Sequence, residues 1–316
     1  MKKQKDNVNE NKVDETVQNK KFIDFIGKRK IFFTISIVLV VLSLLVPIFG
    51  IKVAIEFKGG TVLSYNYSGD IDTAAVESAI DEDITVRTGE SLASGMKTLS
   101  VSFVSNEGLT IEKQTAITDA LKEINDTLTL ESSSDISPTS GRTFFYKCLV
   151  ATALAVILLL AYIALRFKSI AGWASGFCAI LALLVDIIIT FGVYVALGFE
   201  INTNFIAVVL TVLAYCINDT IIIFDRLREN RGLHAKMGYK ELVNLSINQT
   251  LFRSIMTAST VVIVMLVVAI CAVVMQVDTI LSFAVPMLVG VSVGAYTSVC
   301  ITATLWEKMM SRNAKA

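Results

Sequence analysis

Residues 204–231, NFIAVVLTVLAYCINDTIIIFDRLRENR, form an apolar run with Asn218 and Asp219 set inside it. An ionised carboxylate at a bilayer centre costs at least ~2.5–3.5 kcal/mol on insertion scales, so one kept in a membrane helix faces a partner or a wet cavity. At helical spacing Thr211, Tyr215 and Asp219 share a face, which offers the acid a polar stripe instead of lipid. Two readings follow. Asp219 carries a proton or an ion, or it only glues helices together, a job that hydroxyls and amides do at lower solvation cost.

The rest of the chain agrees with a membrane setting. It has 316 residues, 54% of them hydrophobic, and only three prolines, against ~45–50% apolar residues in ordinary soluble domains. Its 28 basic and 28 acidic residues cancel, but they are distributed unevenly. All five cysteines (Cys148, Cys178, Cys216, Cys271 and Cys300) lie in apolar runs. Nothing in their spacing suggests a disulfide framework, a CxxC redox pair or a metal site.

Residues 1–30 are polar, mixed in charge and poor in aromatics, the composition of a disordered arm. A first span covers 31–50, begins far from the N-terminus and has no small-residue cleavage site after it, so it is expected to stay uncleaved. Further spans are predicted near 144–165, 170–198, 204–225, 252–275 and 281–306, six in all. Arg166 and Lys168, the group Arg226, Arg228, Arg231, Lys236 and Lys240, and the tail Lys308, Arg312 and Lys315 fall on the side of the basic arm. By the positive-inside rule both termini, the loop 226–251 and the tail 307–316 are cytoplasmic, and residues 51–143 are extracytoplasmic.

That outer segment alternates like a small α+β domain. Strand-like runs at 61–67, 83–88, 97–104 and 127–131 frame helices from Asp72 to Ile80 and from Thr110 to Asn125. The β-α-β-β-α-β order predicts a ferredoxin-like sheet with both helices on one face. Asp70 or Asp72 and Thr110 are candidate N-caps. Ser132–Gly141, SSSDISPTSG, has the composition of a linker that lets the domain change its angle to the membrane. The fold class expected is therefore an α-helical polytopic membrane protein with an extracytoplasmic ferredoxin-like domain between helices 1 and 2.

Small residues four apart, Gly172/Gly176 and Gly290/Gly294/Ser298/Thr302, predict close helix contacts; the second stripe is a candidate face for a partner subunit. Asp186 lies deep in the third span with Thr190 one turn on. Counting rise per residue puts it about 13 Å deeper than Asp219, so direct contact between the two acids is not expected. Arg253, with Thr257 and Thr260 on its face, lies at the cytoplasmic end of the fifth span. A snorkelling side chain explains such an Arg equally well; placed near Asp219 it would give a release step, because Arg stays charged everywhere. Residues 237–249 carry Leu242, Val243, Leu245 and Ile247 among polar neighbours, a short helix lying along the interface or packing beneath the bundle.

YCINDTIIIFDRLREN at 215–230 and NQTLFRSIMTAST at 248–260 resemble the fourth and fifth transmembrane segments of the SecF family, accessory subunits of the bacterial Sec protein translocase. EFKGGT at 56–61 resembles the family's DFKGG-type motif, and six helices with an outer domain after the first fit the family along nearly the whole chain. The resemblance implies a cytoplasmic-membrane subunit that acts with SecD and the SecYEG channel, using the proton motive force to help complete export of a polypeptide. It places the coupling Asp and Arg on Asp219 and Arg253; Asp186, Asn218, Tyr215 and Thr257 are the candidate supporting polar residues, and Glu56, Gly59 and Gly60 the candidate domain-hinge motif. Three positions depart from the pattern. Val185 replaces the His that often precedes Asp186, Glu56 stands where Asp is usual, and Phe252 precedes Arg253 where a small hydroxyl residue is common.

Other classes fit less well. A half-size exporter of small molecules or lipids from the same superfamily would need a second half and a larger outer region. An intramembrane enzyme is not expected: the sole histidine, His234, reads as a solvated loop residue, which leaves no intramembrane Ser-His dyad or HExxH zinc site. No GxGD stretch accompanies Asp186 and Asp219. No cofactor or metal is expected; the coupled ion is H⁺, with Na⁺ the alternative, and no nucleic acid is a partner. Six helices without a second repeat call for a partner of similar topology.

Overall fold

A computed structural model of the chain describes residues 23–80, 84–90, 96–104, 109–275 and 277–313. Residues 1–22 of the arm expected at 1–30, and the end of the tail at 314–316, lie outside these residues. Among the described residues six helices are long and apolar enough to cross a membrane. They are α1 (Arg29–Leu45, extended by a 3-10 turn), α4 (Pro138–Arg166), α5 (Gly172–Ala196), α6 (Thr203–Leu233), α7 (Tyr239–Val274) and α8 (Asp278–Thr297). The last continues through a π turn, Ser298–Thr302, into α9 (Ala303–Asn313). Helices α5, α6 and α8 are the most enclosed, whereas α1, α4 and α7 show most of their surface to the surroundings.

Glycines set the closest approaches. A Cβ on Gly172 would stand 2.2 Å from the carbonyl oxygen of Ala164, and one on Gly176 would stand 2.9 Å from Leu160, so this pair seats α5 on α4 as its spacing predicts. The second stripe does not face a partner. A Cβ on Gly290 would meet Val212 at 2.5 Å and Thr190 at 3.0 Å, one on Gly294 would meet Cys216 Sγ at 1.9 Å, and Ser298 is buried against Thr220. The stripe is where α8 sinks between α5 and α6 of its own chain.

The described residues also hold a four-stranded antiparallel sheet of order β2-β3-β1-β4, from β1 (Gly60–Tyr67), β2 (Ile84–Glu90), β3 (Lys97–Phe103) and β4 (Thr129–Ile136). Helices α2 (Thr73–Ala79) and α3 (Ile111–Ile124) cover one face. Alternation puts Leu63, Tyr65, Leu99, Val101 and Phe103 beneath Val76 and Leu121. The opposite face is hydroxyl-rich, with Ser64, Ser100 and Arg87 in register. Leu63 is fully buried; Leu63→Ala is expected to cost about 2–5 kcal/mol of this domain's stability, seen as earlier cleavage of residues 60–136 in limited proteolysis of the membrane-inserted chain. Cleavage at the wild-type rate would mean that the layer is not a packed core.

Ser132–Gly141 is not a linker. Residues 132–136 finish β4 at the edge of the sheet, paired to β1 past a register shift at Ser64/Tyr65, and the next helix begins at Pro138, not 144. Ser137 is its N-cap, accepting from the Ser140 N–H at 3.3 Å, and Pro138 occupies the first turn. Ser-Pro is thus a helix start signal here, and the serines are exposed side chains of an edge strand.

At the other end of the bundle α6 runs on to Leu233 and α7 starts at Tyr239, so most of the 226–251 connection is helical. Leu242, Val243 and Ile247 join the core with Phe224, Leu227 and Trp306, which settles the 237–249 stretch as packed beneath the bundle. Asn230 Nδ2 donates to Ser246 Oγ at 2.9 Å and to Gln249 Oε1 at 2.8 Å. Residues 23–28 are ordered on α7: Asn244 Oδ1 accepts from the N–H groups of Phe25 and Ile26, and Phe25 and Ile26 are buried.

Candidate functional site

Helix α6 carries Asp219 into the middle of the bundle, where it is 1% exposed. Neither carboxylate oxygen has a hydrogen-bond partner, and the hydroxyl of Tyr215, one turn earlier, has none either. A buried acid left this way is rare, because an unpaired buried charge is costly. Arg253, on α7, is the cation whose field reaches Asp219, without a hydrogen bond between the two. Thr257, next along α7 and beside Tyr215, donates to the Arg253 carbonyl at 2.7 Å. Asp219, Tyr215, Arg253 and Thr257 are thereby brought together.

Asn218 is not part of this group. It is exposed, as are Thr211, Arg253 and Thr260. One residue along a helix turns the side chain by ~100°, which takes Asn218 out of the group, and each step of four drifts by ~40°. The expected stripe Thr211–Tyr215–Asp219 therefore winds from the outer surface inward: Thr211 exposed, Tyr215 half-buried, Asp219 enclosed.

Asp186, on α5, is also 1% exposed. Its Oδ1 accepts from Thr297 Oγ1 at 2.6 Å while its Oδ2 has no partner. Cys216, three residues before Asp219, lies within the fields of both acids. Cys216, Thr297, Ser298 and Thr220 were not singled out from the sequence as part of a site. Ser298 Oγ lies 3.2 Å from Thr220 Oγ1 and donates to the Cys216 carbonyl at 3.2 Å, and Thr302 Oγ1 donates to the Thr297 carbonyl at 3.3 Å across the π turn. Such turns leave carbonyls free of the regular ladder and are frequent at functional sites. The signal was the stripe Gly290–Gly294–Ser298–Thr302, whose spacing marks a face without saying what covers it.

Glu56, Gly59 and Gly60 lie at the far end of α6. Glu56 Oε2 accepts from the Thr203 N–H at 3.0 Å and from the Thr203 hydroxyl. Gly59 has φ +88° and Gly60 φ +145°; a Cβ on either would stand 2.5 Å from Pro138 Cα or 2.0 Å from the Phe103 carbonyl oxygen. Only glycine fits both the backbone and the space. The motif is clamped between the sheet and the starts of α4 and α6. What the site offers chemically is a buried carboxylate, free of hydrogen bonds, within reach of the charge of Arg253.

Residues 116–312 match the family model for the protein export membrane protein SecD/SecF, C-terminal. Protein translocase subunit SecF of Petrotoga mobilis is 32% identical over 303 residues, covering 93% of this chain and 98% of that protein. Its counterpart in Calditerrivibrio nitroreducens is 33% identical over 309 residues, covering 92% and 95%. Among solved structures, a crystal structure of SecDF, a translocon-associated membrane protein from Thermus thermophilus, aligns with a TM-score of 0.75 at 26% identity over 92% of this chain. The alignment takes in only 39% of that longer SecDF chain. A model match over most of the length, together with full-length relatives above 30% identity, shows that the chain belongs to the SecD/SecF family of protein export membrane proteins.

Proposed function

We propose that this chain is the SecF-like accessory subunit of a Sec protein translocase in the cytoplasmic membrane. It works with SecD to couple proton entry at Asp219 to polypeptide export through SecYEG. The observation that carries the reading is the enclosed carboxylate of Asp219, bonded through neither oxygen and within the field of Arg253. Each proton crossing 100 mV releases about 2.3 kcal/mol, enough to bias a bistable arrangement. In this reading the sheet domain lies outside the membrane between the first and second helices, and both termini lie inside.

A second surface supports the partner. Asn218, Thr211, Arg253 and Thr260 are exposed on α6 and α7. Lipid cannot satisfy an amide in mid-helix, and a charged side chain there is costly, so a second membrane subunit supplies polar atoms against this face. This replaces the Gly290/Gly294/Ser298 stripe as the docking surface. A photoreactive residue at 211 or 260 is expected to crosslink to SecD in native membranes, whereas one at Ile157, 60% exposed on α4, contacts lipid. Crosslinks from 157 and none from 211 or 260 would reject the assignment. The rival reading, a half-size exporter of small molecules or lipids, predicts no gradient-dependent gain in polypeptide export at all.

A further inference from the structure

We propose that Glu56 is a positioning residue that holds the sheet domain and the Asp219-bearing helix α6 in fixed relation, so that movement of one is felt by the other. The inference rests on the reading of Asp219 given above. Helix α6 opens with free N–H groups at Thr203 and beyond. Asn202 accepts from the Phe205 N–H at 3.2 Å, which is the ordinary cap within the same segment. The Thr203 N–H is satisfied from elsewhere, by the carboxylate of Glu56, which also takes the Thr203 hydroxyl. An anion is favoured at this positive helix end, and a charge-assisted bond is stronger than a neutral one.

What makes the contact a coupling element is how rigidly Glu56 is joined to the sheet. It lies in the helical turn Ile55–Lys58, and β1 begins two residues after that turn, at Gly60. Gly59 and Gly60 are locked by Pro138 and by the Phe103 carbonyl, and Gly141 admits the carbonyls of Glu56 and Phe57 within about 3.1 Å of where its Cβ would stand. Phe57 is held between Phe144 and Phe145 at ring centroid distances of 5.8 and 5.2 Å. Ahead of the turn, the Ala54 N–H donates to the Ile201 carbonyl at 3.0 Å and the Ile201 N–H to the Lys52 carbonyl at 2.8 Å. On the hydroxyl-rich face of the sheet, Arg87 forms an ion pair with Glu200, three residues before Thr203. The first turn of α6 and the residues just ahead of it are therefore gripped by the Glu56 carboxylate, a two-bond backbone ladder at Ile201 and an ion pair at Glu200. Asp219 lies sixteen residues further along the same helix, roughly 24 Å. An uninterrupted helix transmits a shift of its first turn over that distance.

The test uses the assembled translocase in sealed vesicles, measuring export with and without a proton gradient for Glu56→Ala, Glu56→Gln, Thr203→Val and Asp219→Asn at matched assembly. Glu56→Ala is expected to lower the gradient-dependent part about three-fold, the scale of one lost tie at a helix end, with at most a small fall in melting temperature and gradient-independent export unchanged. Glu56→Gln, whose amide oxygen still accepts from the Thr203 N–H, retains more of the coupling. Thr203→Val loses part of it and adds nothing to Glu56→Ala. Wild-type gradient dependence in both Glu56→Ala and Thr203→Val, with Asp219→Asn inactive, overturns the inference and leaves the reading of Asp219 standing. Should Glu56→Ala fail to assemble, Thr203→Val decides. Gradient-dependent stimulation persisting in Asp219→Asn overturns the reading of Asp219, and this inference with it.

Discussion

Asp219→Asn is expected to leave the protein inserted and assembled while removing the gradient-dependent part of export completely. Asparagine keeps the size and hydrogen-bonding ability of the side chain but cannot carry a proton. Because neither oxygen of Asp219 is bonded in the structure, there is no contact for the amide to break, and the substitution removes a neutral-to-charged transition and little else. The electrical work lost, about 2.3 kcal/mol per proton at 100 mV, corresponds to roughly a fifty-fold bias between two arrangements. Arg253→Met is expected to do likewise, since it removes the fixed charge against which the proton is released. The measurement is export of a slow presecretory substrate into sealed vesicles, with and without an uncoupler. If Asp219 only glued helices together, both variants would export normally. Stimulation retained in Asp219→Asn alone would move the proton to Asp186, whose Oδ2 is likewise unbonded.

The second large effect is structural. Gly294→Ala places a methyl group 1.9 Å from Cys216 Sγ and 3.2 Å from its Cβ. Cys216 is 1% exposed, so its sulfur cannot swing away without displacing other packed atoms, and overpacking of this kind costs about 1–3 kcal/mol. The loss is expected in the isolated chain, with no partner present, as a lower melting temperature in detergent. Cys216→Ala should restore most of it, because the two sites share one space and their effects are strongly non-additive. A double variant as unstable as Gly294→Ala alone would show that the clash lies elsewhere. An unchanged melting temperature combined with loss of SecD binding would return the stripe to the role of a partner face.

The membrane class, the six helices, the strand order of the small domain and the presence of a carboxylate inside an apolar helix are all legible in the sequence. Each is encoded locally. A run of about 20 apolar residues is long enough to span a bilayer whatever surrounds it, alternation of period two marks a strand with one buried face, and a carboxylate inside an apolar run is anomalous on solvation cost alone.

What the sequence left open was which surface each residue faces. Gly290, Gly294 and Ser298 mark a close helix contact, but the identity of the neighbour depends on how α5, α6 and α8 pack, and that is a property of the whole bundle. Asn218 and Asp219 are adjacent in the chain and yet one is exposed and the other enclosed; the rotation of α6 that separates them is set by its neighbours. SSSDISPTSG has the composition of a flexible linker, yet pairing with β1 makes its first half a strand, and the cap at Ser137 makes its second half a helix. Glu56 is read from the sequence as part of a hinge through its place in EFKGGT, the motif just outside the first helix. Only the approach of the turn Ile55–Lys58 to Thr203, 147 residues away in sequence, makes it the cap of the helix that carries Asp219. Local patterns fix the elements because their cause is local; contacts between elements far apart in the chain come from packing, which no short stretch contains.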